Sequence, residues 1–164
     1  MSEQSQAAGI EWLTSLLAFQ GLKVQVTAKM VEDESGSSCW LIIDDSNLSA
    51  DQTQTLIGEQ GSVLDSIQYL ANTTLNLGQS PAEQQAFTIE LAGYRAQRLE
   101  ELKAIANEAA EQVMASKQEF EIKGLSSAER RQVHHFLSAH DGLSTFSRGK
   151  EPDRRLVVTL EAKE

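Results

Sequence analysis

The chain has 164 residues, 40% of them hydrophobic, with two prolines and ten glycines; it is long enough to bury one or two cores, and its composition excludes a disordered chain, a collagen-like repeat and a disulfide scaffold. A net charge of -10 argues against a polyanionic partner only until it is resolved along the chain: residues 1–91 hold two basic side chains, Lys23 and Lys29, against twelve acidic ones, whereas residues 92–164 hold twelve of each. Between Ser126 and Val158 six basic residues face four acidic ones and all three histidines are present, so any surface that attracts nucleic acid by charge is expected in the C-terminal part.

In chain order, Ile10, Trp12, Leu13, Leu16 and Leu17 recur at helical spacing and stop before Gly21, which predicts a helix over about residues 9–20. Leu22, Val24 and Val26 alternate with polar residues and predict a strand; Glu32 to Ser38 reads as a turn, and the apolar run from Cys39 leads to a second strand ending at Asp44. Ser49 or Asp51 can cap a short helix ending at Ile57. Gly58-Glu59-Gln60-Gly61 interrupts, and Ser62 opens a further helix with the pattern of a capping box through Asp65, its apolar face being Val63, Leu64, Ile67, Leu70 and Ala71. Phe87, Ile89 and Leu91 predict a third strand.

A long helix follows from about residue 92 to 117, with Leu99, Leu102, Ala106, Ala109 and Val113 as its core stripe. After it come a short strand at residues 120–122, a helix over 128–138 capped by Ser126 and Glu129, and strands near Ser144 and at 156–160. The fold class expected is α+β, as two small modules over residues 9–91 and 92–161 joined through the long helix.

The single cysteine, Cys39, lies in an apolar run, as a buried and unreactive thiol does. No leader pattern opens the chain and no run of about 18 apolar residues could insert into a membrane, so a reducing cytoplasm is the expected location. No nucleophile with its base, paired carboxylates or metal cluster stands out. His134, His135 and His140 do not have the spacing of a ligand set, and Asp44 and Asp45 read as a solvated strand end, so neither enzyme activity, a metal nor a cofactor is expected.

The Gly58-to-Gly61 turn, with Ser62 opening the helix after it, offers backbone N–H groups at a helix N-terminus without side chains in the way, a suitable place for a phosphate. The element order around it is that of a type II KH domain, and Leu56 to Leu70 resembles the KH segment of the bacterial Jag family, also called KhpB or SpoIIIJ-associated protein. In KH domains this loop clamps about four nucleotides of single strand. Where the family usually places a basic residue, this chain has Glu59 followed by the neutral Gln60, which predicts weak RNA contact at this loop and suits pairing of the KH surface with another protein.

Arg130 and His134 lie four apart on the capped helix, on one face; Arg131 and His135 repeat the spacing, and residue arithmetic alone does not choose between the pairs. The segment Thr145 to Val158 resembles the end of the Arg-x-x-x-His domain of the same family, and Glu129-Arg130-Arg131-Gln132-Val133-His134 matches the family's helix in the frame that selects Arg130 and His134. Gly93-Tyr94-Arg95 matches as well, and the resemblance spans about residues 10–160, without the N-terminal domain of longer family members.

The resemblance implies single-stranded nucleic-acid binding, most of all RNA with single-stranded DNA as an option, and a role as RNA chaperone or post-transcriptional regulator. Arg130, Arg131 and His134 would provide phosphate contact and stacking, and Ser147, Arg148, Lys150, Arg154 and Arg155 a rim around them. The alternative it implies is a protein adaptor, in which the acidic KH module pairs with a small KH protein or with a second copy of the chain and RNA binding is weak or absent.

Overall fold

A computed structural model describes residues 3–33 and 36–161. The chain divides into two compact units, one ending at Arg95 and one beginning at Ala96. Both mix helices and sheet, as the α+β expectation requires.

The first unit runs α1 (Glu3–Phe19), β1 (Val26–Asp33), β2 (Gly36–Ile43), α2 (Ala50–Ile57), a single 3-10 turn (Glu59–Gly61), α3 (Ser62–Leu75) and β3 (Ala86–Leu91). Strand β1 pairs antiparallel with β2, Val26 opposite Ile43, and β2 pairs parallel with β3, Cys39 opposite Phe87. One face of this sheet meets the helices, and Leu13, Leu17, Leu41, Ile43, Leu64, Ile89 and Leu91 are sealed between them. Cys39 is buried in the same core, and burial raises its thiol pKa, which keeps it protonated and inert.

Strand β3 is an edge strand, and its free backbone is satisfied by amides of α3. Asn72 accepts from the Phe87 N–H (2.9 Å) and donates to the Phe87 carbonyl (2.8 Å); Asn76 does the same for Gln85, at 2.8 and 2.9 Å. Gln68 accepts from the Ile89 N–H at 3.0 Å. Residues four apart on a helix advance about 6 Å and residues two apart on a strand about 6.6 Å, so the two ladders stay in step. An otherwise open sheet edge is closed without another strand.

Several sequence expectations shift here. Helix α1 begins at Glu3 rather than near residue 9, because its first turns hold polar and alanine residues that give no apolar period. The alternation of Leu22 and Val24 precedes the strand: both are only partly buried against the core, and β1 starts at Val26. Of the turn expected over Glu32 to Ser38, residues 32–33 and 36–38 are strand, since β1 reaches Asp33 and β2 starts at Gly36, and residues 34–35 lie outside the described residues. Ser62 does not cap α3; the cap position is Gly61 in the left-handed conformation, and Asp65 pairs instead with Arg95 at 2.6 Å. On α3 the core takes Leu64, Ile67 and Ala71, while Val63 and Leu70 face solvent.

In the second unit α4 (Tyr94–Ser116, its first two residues in the first unit) is followed by β4 (Phe120–Ile122), α5 (Ser127–Ser138), β5 (Leu143–Arg148) and β6 (Arg155–Leu160). The sheet is antiparallel in the order β4-β6-β5. Leu102, Ala106, Ala109 and Val113 of α4 pack with Val133 and Leu137 of α5 and with Ile122, Leu143, Leu156 and Val158 of the sheet. Three of the five buried positions on this 23-residue helix are alanines, Ala106, Ala109 and Ala110.

Candidate nucleic-acid interface

Helix α5 starts where its sequence says it should. The Ser126 hydroxyl accepts from the Glu129 N–H (3.2 Å) while the Glu129 carboxylate accepts from the Ser126 N–H (2.9 Å). Arg98 of α4 donates its Nε to the other Glu129 oxygen at 2.7 Å, so the cap is also tied to the neighbouring helix. With the start fixed, Arg130, Val133 and Leu137 fall on the inward face at spacings of three and four, and all three are buried.

Arg130 therefore points inward, which an open phosphate fork would not. Its side chain is 6% exposed. One terminal nitrogen donates to the Leu125 carbonyl at 2.7 Å and to the Arg154 carbonyl at 3.4 Å, and the other contacts the Glu151 carboxylate. These contacts place the β5–β6 turn, residues 149–154, directly over Arg130. His134, one helical turn further, is exposed, with its Nδ1 against the Thr145 hydroxyl of edge strand β5. Arg131 and His135 are exposed too, and Arg131 has no acidic partner among the described residues.

Strand alternation sorts the predicted rim onto two faces. Thr145 and Ser147 lie on the side of β5 that faces α5, as do their β6 partners Val158 and Leu156. Phe146, Arg148 and Arg155 lie on the outer side. There Arg148 donates to Glu119 at 2.8 and 3.2 Å and to Glu121 at 2.9 Å, and Arg155 donates to Glu121 at 2.9 Å and to Asp153 at 3.1 Å. The Arg148 guanidinium also lies 5.3 Å from the Phe146 ring centroid, and that ring is 44% exposed.

Hydrogen bonding from Arg148 lowers the pKa of Glu119, and hydrogen bonds first from Arg155 and then from Arg148 lower that of Glu121; the same contacts raise that of Arg148. Two predicted phosphate ligands, Arg148 and Arg155, are thus already neutralised by carboxylates. Lys150 and Arg154, exposed in the turn, have no acidic side-chain partner among the described residues. Sequence reasoning takes Thr145 and Phe146 only as the start of the resembling segment and gives them no part in the site. Their signal is the inward and outward alternation along β5, which places Thr145 beside α5 and Phe146 on the open side.

At the first unit's Gly-x-x-Gly turn, Gly58 and Gly61 both have positive φ, 74° and 77°. Gly61 is buried, and a Cβ there would overlap the Tyr94 ring, so this glycine serves packing as well as turn geometry. Glu59, Gln60 and Ser62 are exposed. The expected acidic side chain does sit at the surface of the turn. No helix of the described residues is long and apolar enough to cross a membrane.

Residues 100–160 match the Arg-x-x-x-His domain family. The RNA-binding protein KhpB of Clostridium symbiosum is 28% identical over 159 residues, covering 97% of this chain and 68% of that protein. KhpB of Bacillus subtilis (strain 168) is 30% identical over 115 residues, 69% of this chain and 54% of that one. KhpB of Streptococcus pneumoniae serotype 2 is 32% identical over 117 residues, 70% of this chain and 35% of its own length. The chain thus spans from about a third to two thirds of these relatives. The resemblance that the motifs suggested holds along the sequence: the chain is similar to the Jag, or KhpB, proteins over most of its length, and residues 100–160 match the Arg-x-x-x-His domain family.

Proposed function

We propose that the chain binds single-stranded RNA through its Arg-x-x-x-His unit and is a binding protein rather than an enzyme; its relatives are named RNA-binding proteins. The observation that supports this most is the continuity of exposed groups around α5. His134 stands on Thr145, the turn bearing Lys150 and Arg154 lies over Arg130 one helical turn away, and Arg131 projects from the same helix. Lys150, Arg154 and Arg131 offer phosphates unpaired cations, the His134 ring can stack on a base or donate to it, and Ser147 adds a hydroxyl. Arg148 and Arg155, held by Glu119 and Glu121, are left out of the contact surface. So is the KH-like turn, where Glu59 repels phosphate.

The test is a titration of fluorescent single-stranded RNA at several salt concentrations. Lys150→Ala/Arg154→Ala should weaken binding and lower the slope of log K against log salt by about 1 to 2, whereas His134→Ala should weaken binding with little change of slope. Arg148→Ala should do neither. If the wild type shows no affinity at low salt, the reading fails. Action as an RNA chaperone or post-transcriptional regulator is the cellular role that fits such a surface.

A second reading concerns the first unit and is favoured by α3 and the turn after it. Val63 and Leu70 are exposed on one face, with Tyr69 beside them at 70% exposure and Leu77 beyond at 81%. Apolar side chains in that number on one helix mark a docking face, in line with pairing to a small KH protein or to a second copy. Leu70→Asp should abolish self-association or partner capture in sedimentation while leaving RNA affinity intact; a wild type that sediments as a monomer with and without a small KH protein removes this reading.

A further inference from the structure

The Arg130 guanidinium is positioned before any ligand arrives. The carbonyls of Leu125 and Arg154 fix one of its terminal nitrogens, and the other is turned toward the Glu151 carboxylate. The two partners differ sharply in exposure, 6% for the arginine side chain and 59% for the glutamate. A carboxylate that is mostly in water, resting on the one terminal nitrogen of a guanidinium whose other is held by the main chain, stands where a single phosphate oxygen would accept a charge-assisted hydrogen bond. We infer that Glu151 is a displaceable gate on a phosphate site: a phosphate of the bound strand takes its place on Arg130, and the glutamate swings into solvent.

This rests on the RNA-binding reading above and adds a competitor to it. Release of Glu151 costs little on the glutamate's side, because a mostly solvated carboxylate regains water, and on the buried side Arg130 keeps its carbonyl acceptors while the incoming phosphate replaces the lost negative charge. The exchange also favours the strand. Lys150 precedes Glu151 and Arg154 follows it in the same turn, both exposed and without an acidic side-chain partner among the described residues, so an anion arriving from outside meets cations that the resident carboxylate leaves unpaired. The consequence is an affinity lower than the cations alone would give, set by one residue of the β5–β6 turn.

The experiment compares wild type, Glu151→Gln and Asp153→Asn in the full chain, with single-stranded oligouridylate as the probe and thermal melting as a check on folding. Asp153 is the right control: its substitution removes the same charge from the same turn, but its carboxylate is engaged by Arg155, at 3.1 Å, rather than by Arg130. Glutamine keeps a side-chain oxygen for Arg130, so the fold should persist. Glu151→Gln should bind about five- to ten-fold tighter than the wild type, and clearly tighter than Asp153→Asn, the size expected for one charge beside an exposed phosphate. A wild type that does not bind beside a Glu151→Gln variant that does would also support the gate. If the wild type binds and the two variants are equal, the gate is wrong while RNA binding stands. Loss of the fold in Glu151→Gln makes the residue a structural strut and overturns the gate, and absence of binding in all three proteins overturns both readings.

Discussion

A methyl group at position 61 would have nowhere to go. Gly61 has φ of 77° and faces the Tyr94 ring, so alanine there meets both an unfavourable backbone region and a steric overlap. Gly78 has nearly the same φ, 79°, but open space around it. The pair separates the two penalties. Gly78→Ala should cost about 1 kcal/mol, from the left-handed backbone alone, and Gly61→Ala about 2 to 4 kcal/mol, because overpacking adds to it. Urea denaturation of the full chain measures both; equal losses would show that Tyr94 yields freely and that the close approach is not what selects glycine. Neighbouring arginines show the same dependence on place: Arg130 is buried on carbonyls and a carboxylate, while Arg131 is in solvent.

At the level of elements, sequence reading succeeds where a local signal and a tertiary role coincide. The capping box of Ser126 with Glu129 is local chemistry and forms as its spacing requires, and of the two candidates for the cap of α2 it is Ser49 that caps, with Gln52 completing a second box. The start of α3 has a similar pattern in Ser62 and Asp65, yet a left-handed Gly61 takes the cap and Arg95, thirty residues away, takes the carboxylate. Only the fold brings Arg95 there. The amide ladder of Gln68, Asn72 and Asn76 is equally hidden, because four-residue spacing of polar side chains is also what a solvated face shows. Hydrophobicity alone places Val63 and Leu70 in the core, and it does not distinguish an inward stripe from an outward one on the same helix. In the candidate interface, the helix with Arg130 and His134 is legible; which arginine of the rim faces a carboxylate is not, since Glu119 and Glu121 lie nearly thirty residues from Arg148.

For the whole molecule, acidification sets two effects against each other. Protonating carboxylates relieves the self-repulsion of a chain with net charge -10, which favours the folded state. The same protonation removes ion pairs that exist only when folded. Hydrogen bonds from arginines hold the pKa values of Glu101, Glu119 and Glu121 below their ordinary 4.5. Because the unfolded state binds protons at these groups first, their stabilisation is complete above pH 4.5 and is lost as pH falls through the lower, folded values. Replacing Glu119 and Glu121 by glutamine removes the second effect on the outer face of the β4-β6-β5 sheet and leaves most of the first. The urea midpoint of Glu119→Gln/Glu121→Gln should therefore lie below the wild type at about pH 6, and the two should converge as pH is lowered from about 4.5 toward about 3. Parallel curves over that range would mean that ionisation of Glu119 and Glu121 contributes nothing to stability, and that their contacts with Arg148 and Arg155 do not favour the charged carboxylates.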